Sequence, residues 1–248
     1  MIAMILAAGR GERMRPLTDH TPKPLLEVGG RALIVWHIEK LVAAGITDLV
    51  INHAHLGAQI ESALGDGSRF GASIRYSPEI TALETAGGIA NALPMLCPPR
   101  PSGEGLGERE VFAVVNGDIW CDYDFQRLHD RVAAMQSAGD TADLVLVDNP
   151  AHHPNGDFIL HNGRIEDRPN LRLPTSDSAL TFSGIGLYHP RMFSEIPRGS
   201  ASPLAPLLRT QMALGKVSGE HHAGRWIDVG TPQRLQELDA ELRKDAHV

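Results

Sequence analysis

Cysteine is scarce. The 248 residues contain two, Cys97 and Cys121. They form neither a C-x-x-C pair nor a metal-ligand spacing, which sets aside a disulfide scaffold and a structural zinc site. Both are expected to be thiols in a reducing, cytoplasmic compartment. Long apolar runs are missing as well: none approaches the roughly 20 residues of a membrane span. The opening apolar run stops at Ala8 without a basic leader, so neither a secretory signal nor a membrane partner is expected. Excess positive charge is absent. A formal net charge of −7 argues against a nucleic-acid binder. No internal repeat or hexapeptide array is present. What remains is ordinary for a globular chain, with 42% apolar and 21% charged residues. That length can bury a core without staples.

Short apolar runs alternate with helical periodicity. Residues 3–8, 46–52, 73–77, 111–118 and 142–147 read as strands. Residues 33–45, 56–65, 87–96 and 124–135 read as helices. In the first helix Ile34, Ile38, Leu41 and Val42 share a face, and Gly45 is a natural terminator. Pro94 should disturb the end of the third. Buried strands alternating with amphipathic helices predict a Rossmann-like α/β fold, a mostly parallel sheet covered on both faces. Beyond residue 150 the pattern changes. Residues 156–166 predict a hairpin turned by Asn162-Gly163, and 180–190 a strand with two internal glycines. Residues 215–232 read as an antiparallel pair. A last helix is expected with Thr231 as N-cap, Pro232 at N1, and Leu235, Leu238 and Leu242 buried. Residues 98–110 read as a surface loop. The expected layout is one domain, 1–248, with a nucleotide-binding half (1–150) and a smaller, partly antiparallel acceptor-binding half (151–248).

Despite its acidity the chain gathers Arg10, Arg13, Arg15 and Lys23 on the loop after the first strand, "LAAGRGERMRPLTDHTPKPL" (6–25). Ligands of open parallel sheets bind beyond the carboxyl ends of the strands. Gly9 and Gly11 let backbone N–H groups approach an anion, and the cations would meet a polyphosphate. The alternative is a solvated basic loop. Residues 9–14, G-R-G-E-R-M, miss the last glycine of the dinucleotide fingerprint, and no GxxxxGK[ST] P-loop occurs.

The same stretch resembles the signature of the sugar-1-phosphate nucleotidylyltransferases, L-A-A-G-x-G-x-R-x-x-P-L-T-x-x-x-P-K-P. The resemblance implies the nucleotidyltransferase fold and attack of a sugar 1-phosphate on the α-phosphorus of a nucleoside triphosphate, releasing pyrophosphate. It implies that the Ala8 and Gly9 backbone faces the nucleotide, beside Gly11 and Arg13. It assigns Arg15 to the β- and γ-phosphates and Lys23 to the phosphates at the reacting centre. Such transfer needs alignment and charge neutralisation, chiefly from Mg²⁺ and fixed cations. "NGD" ending at Asp118 and "WIDVGTP" containing Asp228 resemble the family's metal segments. Each Asp alone could equally make an Asx-turn or a helix cap. Asp122 and Asp124 are read as turn or cap residues. An acceptor phosphate is already an anion, so no nucleophilic side chain is required.

"YSPEITALETAGGIANAL" (76–93) resembles the base-recognition segment and offers Thr85, Gly87 and Gly88. Glu84 either accepts from a guanine edge or faces water, and uracil versus guanine stays open. "INHAHLGAQIESALGDGSRFGASIRYSPE", "NPAHHPNGDFIL" and "TFSGIGLYHP" resemble the N-acetylmuramic acid 1-phosphate uridylyltransferases of cell-wall (peptidoglycan) recycling. That group implies UTP as donor. It places Gly156 and Glu166 at the sugar hydroxyls or N-acetyl group and leaves room for the sugar at Gly184. The structural alternatives are a turn glycine, a solvated glutamate and a bulge glycine. Guanylyl transfer to mannose 1-phosphate or a heptose phosphate, choline phosphate as acceptor, and a catalytically silent sugar-nucleotide sensor are the competing readings. His53-x-His55, His152-His153 and His221-His222 raise a weaker zinc alternative. A monomer or homodimer is expected.

Overall fold

The computed structural model describes residues 1–98, 111–167 and 179–245. All but the first residue of the loop expected at 98–110 lies outside them. The strands are β1 (Ala3–Leu6), β2 (Glu27–Val28), β3 (Arg31–Ala32), β4 (Asp48–His53), β5 (Ser73–Pro78), β6 (Phe112–Asn116) and β7 (Ile119–Cys121). They continue with β8 (Ala142–Val147), β9 (Phe158–His161), β10 (Arg164–Asp167), β11 (Thr181–Tyr188), β12 (Val217–His222) and β13 (Trp226–Asp228). The helices are α1 (Leu33–Ala43), α2 (Gly57–Leu64), α3 (Glu84–Leu96), α4 (Arg127–Ala138), α5 (Leu204–Ala213) and α6 (Pro232–Asp245).

Nine strands join one sheet in the order β5-β4-β1-β6-β11-β8-β12-β10-β9. β5, β4, β1 and β6 are parallel, as are β8 and β12. β11 runs antiparallel to both β6 and β8. The fold is therefore a mostly parallel sheet flanked by helices, with small antiparallel additions. The β9–β10 hairpin turns at Asn162 and Gly163, both with positive φ (48° and 76°), as Asn-Gly predicts.

Strand alternation divides the core. Ala3 and Ile5 face a cluster with Ile34, Ile38 and Leu41 of α1, Leu64 of α2 and Leu128 of α4. Met4 and Val50 face the other side, with Ile89 of α3 and Leu208 of α5. Full burial of each Ile, Leu, Val or Met side chain among them contributes roughly 1.5–3 kcal/mol. α1 stops at Gly45 (φ 76°), where Gly45 N–H donates to Val42 and Ile46 N–H to Leu41. This paired C-terminal motif satisfies two otherwise orphaned carbonyls.

Three readings are corrected. Residues 217–222 and 226–228 do not pair with each other: β12 joins the main sheet, while β13 pairs with β7 in a separate ribbon. Short strands such as V-S-G-E-H-H and W-I-D carry too little periodicity to encode a distant partner, so proximity in sequence predicts only the nearest pairing. α3 begins at Glu84, earlier than its periodicity suggests, and runs through Pro94. The run expected as strand 111–118 ends at Asn116, leaving Asp118 in the turn to β7. The β2–β3 hairpin, β7 and α5 were not anticipated.

Candidate active site

β1, β4 and β6 end in register: Leu6 lies opposite both Asn52 and Asn116. Their carboxyl ends, with the loop after β1, enclose a cavity of about 450 Å³. The buried Asn52 accepts from Ala7 N–H (2.9 Å) and donates to Glu79 (2.7 Å). Glu79 in turn accepts from Leu83 N–H (2.9 Å). One polar chain thus ties the glycine loop to the loop before α3. Gly11 adopts φ +64°, and a Cβ there would lie 3.0 Å from Thr18 Cγ2 and 3.2 Å from Lys23 Cβ. Its carbonyl accepts from Met14 N–H and Thr18 Oγ1, both at 2.8 Å. These bonds fold the basic loop back over Lys23. At Gly9 an added Cβ would meet nothing within 4 Å.

Of the residues singled out in the sequence, Ala8, Gly9, Gly11, Arg13, Lys23, Thr85 and Asp118 line this cavity. Lys23 is buried, and its Nζ donates to Asp118 Oδ2 at 2.8 Å. The β7–β13 ribbon sets Asp228 opposite Ile119, and Val229 N–H donates to the Asp118 carbonyl at 3.0 Å. Asp118 and Asp228 both line a second cavity of about 310 Å³. Asn116 and Asp118 belong to the walls of both cavities. Arg234 donates to Asp228 at 2.9 Å, so each carboxylate carries its own cation.

Behind the ribbon His37 Nε2 donates to the Ile119 carbonyl at 2.8 Å. Burial pushes its pKa down to about 4, so the ring is neutral. The Lys40 ammonium is held at the Cys121 carbonyl, and burial raises the Cys121 thiol to about 11. Val28, Leu33, Trp120, Val229, Leu238 and Leu242 form a third apolar cluster that clamps α6 onto this ribbon.

Among the described residues no group of three or more His, Cys, Asp or Glu is placed to hold a metal ion by itself. Two carboxylates on one cavity wall suit Mg²⁺, which commonly takes one or two carboxylates and completes its shell with phosphate oxygens and water.

Other predicted residues lie elsewhere. Arg15 donates to Asp19 at 2.6 Å with its side chain 68% exposed, away from the cavity wall. Gly88 packs inside α3, where a Cβ would lie 2.7 Å from Glu79 Oε1 and 2.9 Å from Asn52 Nδ2. Gly87 lies under the chain at Ser200, whose carbonyl oxygen is 2.2 Å from a Cβ position there. Gly156 (φ +60°) is packed against Asn149 and Ala179. Glu166 sits on β10, opposite Ile159 and separated from β11 by β8 and β12. Gly184 (φ +82°) occupies an irregularity of β11, where a Cβ would lie 2.6 Å from Asn116 Nδ2. Asp124 accepts from Gln126 N–H as an Asx-turn, and Asp122 pairs with His222 at 2.8 Å. His53 pairs with Glu61, His153 with Asp157 and His221 with Asp148, while His55 is exposed.

The sequence reading missed Asn52, Glu79, Asn116 and Arg234, and raised His152 only within the zinc alternative, whereas it lies 2.8 Å from Arg234 Nη1. For Asn52 and Asn116 a signal existed: each is a polar residue closing an apolar parallel strand at the edge where ligands bind.

Residues 2–245 match the family described as nucleotidyl transferase. The chain belongs to the nucleotidyl transferase family. Among its relatives in that family is the N-acetylmuramate alpha-1-phosphate uridylyltransferase of Neisseria meningitidis, 52% identical over 97% of both chains. The enzyme of the same description from Caulobacter vibrioides is 32% identical, covering 97% of this chain and 96% of its own. A solved structure of a Bacillus anthracis protein, assigned as a glucose-1-phosphate thymidylyltransferase and bound to sucrose, superposes with a TM-score of 0.79 at 25% identity. That match covers 98% of this chain and 95% of the other. No described helix of this nucleotidyl transferase is long and apolar enough to cross a membrane.

Proposed function

We propose that this nucleotidyl transferase moves UMP from UTP to N-acetylmuramic acid 1-phosphate, giving UDP-N-acetylmuramic acid and pyrophosphate, as a cytoplasmic step of peptidoglycan recycling. The observation that carries the reaction type is the position of Asp118, in the wall common to two adjoining cavities and paired with Lys23. The 52% identity across nearly the full chain supports the choice of base and sugar.

In this reading the triphosphate lies along the glycine loop, with backbone N–H groups near Ala8, Gly9 and Gly11, and with Arg13 and Lys23, facing its oxygens. Thr85 and Glu84 stand toward the base. The sugar 1-phosphate enters the second cavity. One of its phosphate oxygens forms a bond to the α-phosphorus as the bond to the pyrophosphate oxygen breaks, and no proton is transferred. The chain's task is to align the two reactants and neutralise their charge. Asp118 and Asp228 would hold Mg²⁺, which supplies that neutralisation at the triphosphate. Arg15 takes the β- and γ-phosphates by exchanging Asp19 for them. Gly184 acts on the acceptor through Asn116, whose position it permits. Gly88 acts on the base through Glu79. Gly156 and Glu166 reach the sugar only if the acceptor extends toward the β9–β10 edge.

The test is a matrix of four nucleoside triphosphates against several sugar 1-phosphates with Mg²⁺, reading pyrophosphate release. UTP with N-acetylmuramic acid 1-phosphate is expected to give the highest kcat/KM. A preference for GTP with mannose 1-phosphate would replace this reading by guanylyl transfer. Silence in every cell would leave a sugar-nucleotide sensor.

A further inference from the structure

Arg234 has no part in the sequence signature and is not itself among the residues lining either cavity, yet it touches residues in the walls of both. It lies in the first turn of α6, where its N–H and Nε donate to Thr231 Oγ1 at 3.3 and 3.4 Å. The side chain folds back and is only 18% exposed. On one side Nη1 donates to Asp228 Oδ2 (2.9 Å) and lies 2.8 Å from His152 Nε2, and both partners line the second cavity. On the other side Nη2 points to Gly230, which lines the first cavity. A Cβ at Gly230 would lie 2.7 Å from Arg234 Nη2, 3.1 Å from Asp228 Oδ2 and 3.2 Å from Arg13 Nη2. The missing side chain is what lets two guanidinium groups and a carboxylate meet at this point.

We propose that Arg234 binds the phosphate of the acceptor and presents it to the donor, acting as the cationic spacer between the two substrates. The inference rests on the proposed transfer to a sugar 1-phosphate and not on which sugar it is. The chemistry requires such a group. A phosphate dianion must approach a triphosphate, and the two repel unless positive charge stands between them. A planar guanidinium offers donors along more than one edge, so it can hold one phosphate while facing another. Lysine, with a single charged centre on a flexible stem, can supply the charge but not the geometry. Asp228 and His152 keep the fork in place when no phosphate is bound, and Arg13 approaches from the donor side.

Arg234→Ala, Arg234→Lys and Gly230→Ala test this with the full chain, UTP, Mg²⁺ and whichever sugar 1-phosphate the wild type uses best. For Arg234→Ala the acceptor KM should rise by about tenfold or more, while the KM for UTP changes by less than about threefold. Millimolar guanidinium should restore part of the turnover of that variant, which a helix tether alone could not explain. Arg234→Lys should retain the acceptor defect, and Gly230→Ala, whose Cβ would press on Arg234, Asp228 and Arg13 together, should raise the KM of both substrates. Titration of the sugar 1-phosphate into each variant with a non-hydrolysable UTP analogue gives a readout independent of turnover and should show the same loss. If Arg234→Ala fails to fold, Arg234→Lys decides the matter. An unchanged acceptor KM in the folded variants, or a defect confined to UTP, overturns the inference and leaves the function standing. Absence of wild-type turnover with every sugar 1-phosphate overturns both.

Discussion

Lys23 and Asp118, 95 positions apart in the chain, form an ion pair of 2.8 Å in which the lysine is buried and the carboxylate 42% exposed. The exposed side of Asp118 opens on both cavities, so the lysine holds the carboxylate at their common wall without consuming all of its oxygen valence.

Removing the charge at that wall should affect the chemical step more than binding. Asp118→Asn is expected to lower kcat by about 10²-fold or more, close to 3 kcal/mol of transition-state stabilisation. The measurement is pyrophosphate release at saturating Mg²⁺ and both substrates. Lys23→Ala should cost a similar factor. The double variant should be far less than multiplicative, because each residue acts through the other. Near-normal turnover of Asp118→Asn would take Asp118 out of the mechanism.

Arg15 separates stability from function. Its pair with Asp19 is largely exposed, so Arg15→Ala should change unfolding free energy by no more than about 1 kcal/mol. If Arg15 meets phosphate during the reaction, the lost charge-assisted hydrogen bond, worth about 1.5–3 kcal/mol, should raise the KM for UTP by roughly tenfold or more. Denaturant titration and steady-state kinetics on one preparation check both. A normal KM would confine Arg15 to its partner Asp19.

Gly184→Ala should be costly although Gly184 lines neither cavity. Its φ of +82° disfavours a side chain, and the new Cβ would press on Asn116 Nδ2 from 2.6 Å. A loss of roughly 1–3 kcal/mol is expected from backbone strain, with a fall in turnover because Asn116 lines both cavities. Urea midpoints paired with kcat test it, and a variant that loses stability but keeps full turnover would reduce Gly184 to a folding role.

His37 adds a pH term to stability. Its folded pKa of about 4 lies below the ordinary value of 6.5, because burial disfavours the charged ring. Between those values the unfolded chain binds the extra proton, so stability is complete above about pH 6.5 and is lost as pH falls toward 4. The loss is on the order of 3 kcal/mol. His37→Gln should flatten that part of the slope of unfolding free energy against pH, measured by urea titration between pH 7.5 and 4. An identical slope in the variant would assign the effect to other groups.

Local signals carried far into the fold. Residues 142–147 read as a buried strand and are one. The Asn-Gly turn, the Gly45 terminator and Thr231 at the head of the last helix each follow from backbone preferences of a few residues. α3 was legible to its end at Leu96, with Pro94 inside it, but not at its start, where Ala86 and Gly87 N–H donate to the Ser202 carbonyl, a partner from a distant segment. The cavity-lining glycines and Lys23 were legible from a contiguous loop. Arg234 was not, since it stands in no quoted segment and matters only through Asp228 and His152; Asn52 and Glu79 lie in quoted segments, but their roles come from bonding each other across two elements.

By itself the sequence determined the alternation of strands and helices, the glycine-bearing cationic turn after the first strand, and the two aspartates as candidates, because each depends on a short window of residues. Tertiary structure decided what meets what. Residues 226–228 leave β12 and pair with β7, and that single choice carries Asp228, with its partner Arg234, to the side of Asp118. Strand periodicity says which face a residue takes but not which distant strand it will pair with, and that partner is selected only when the whole core packs.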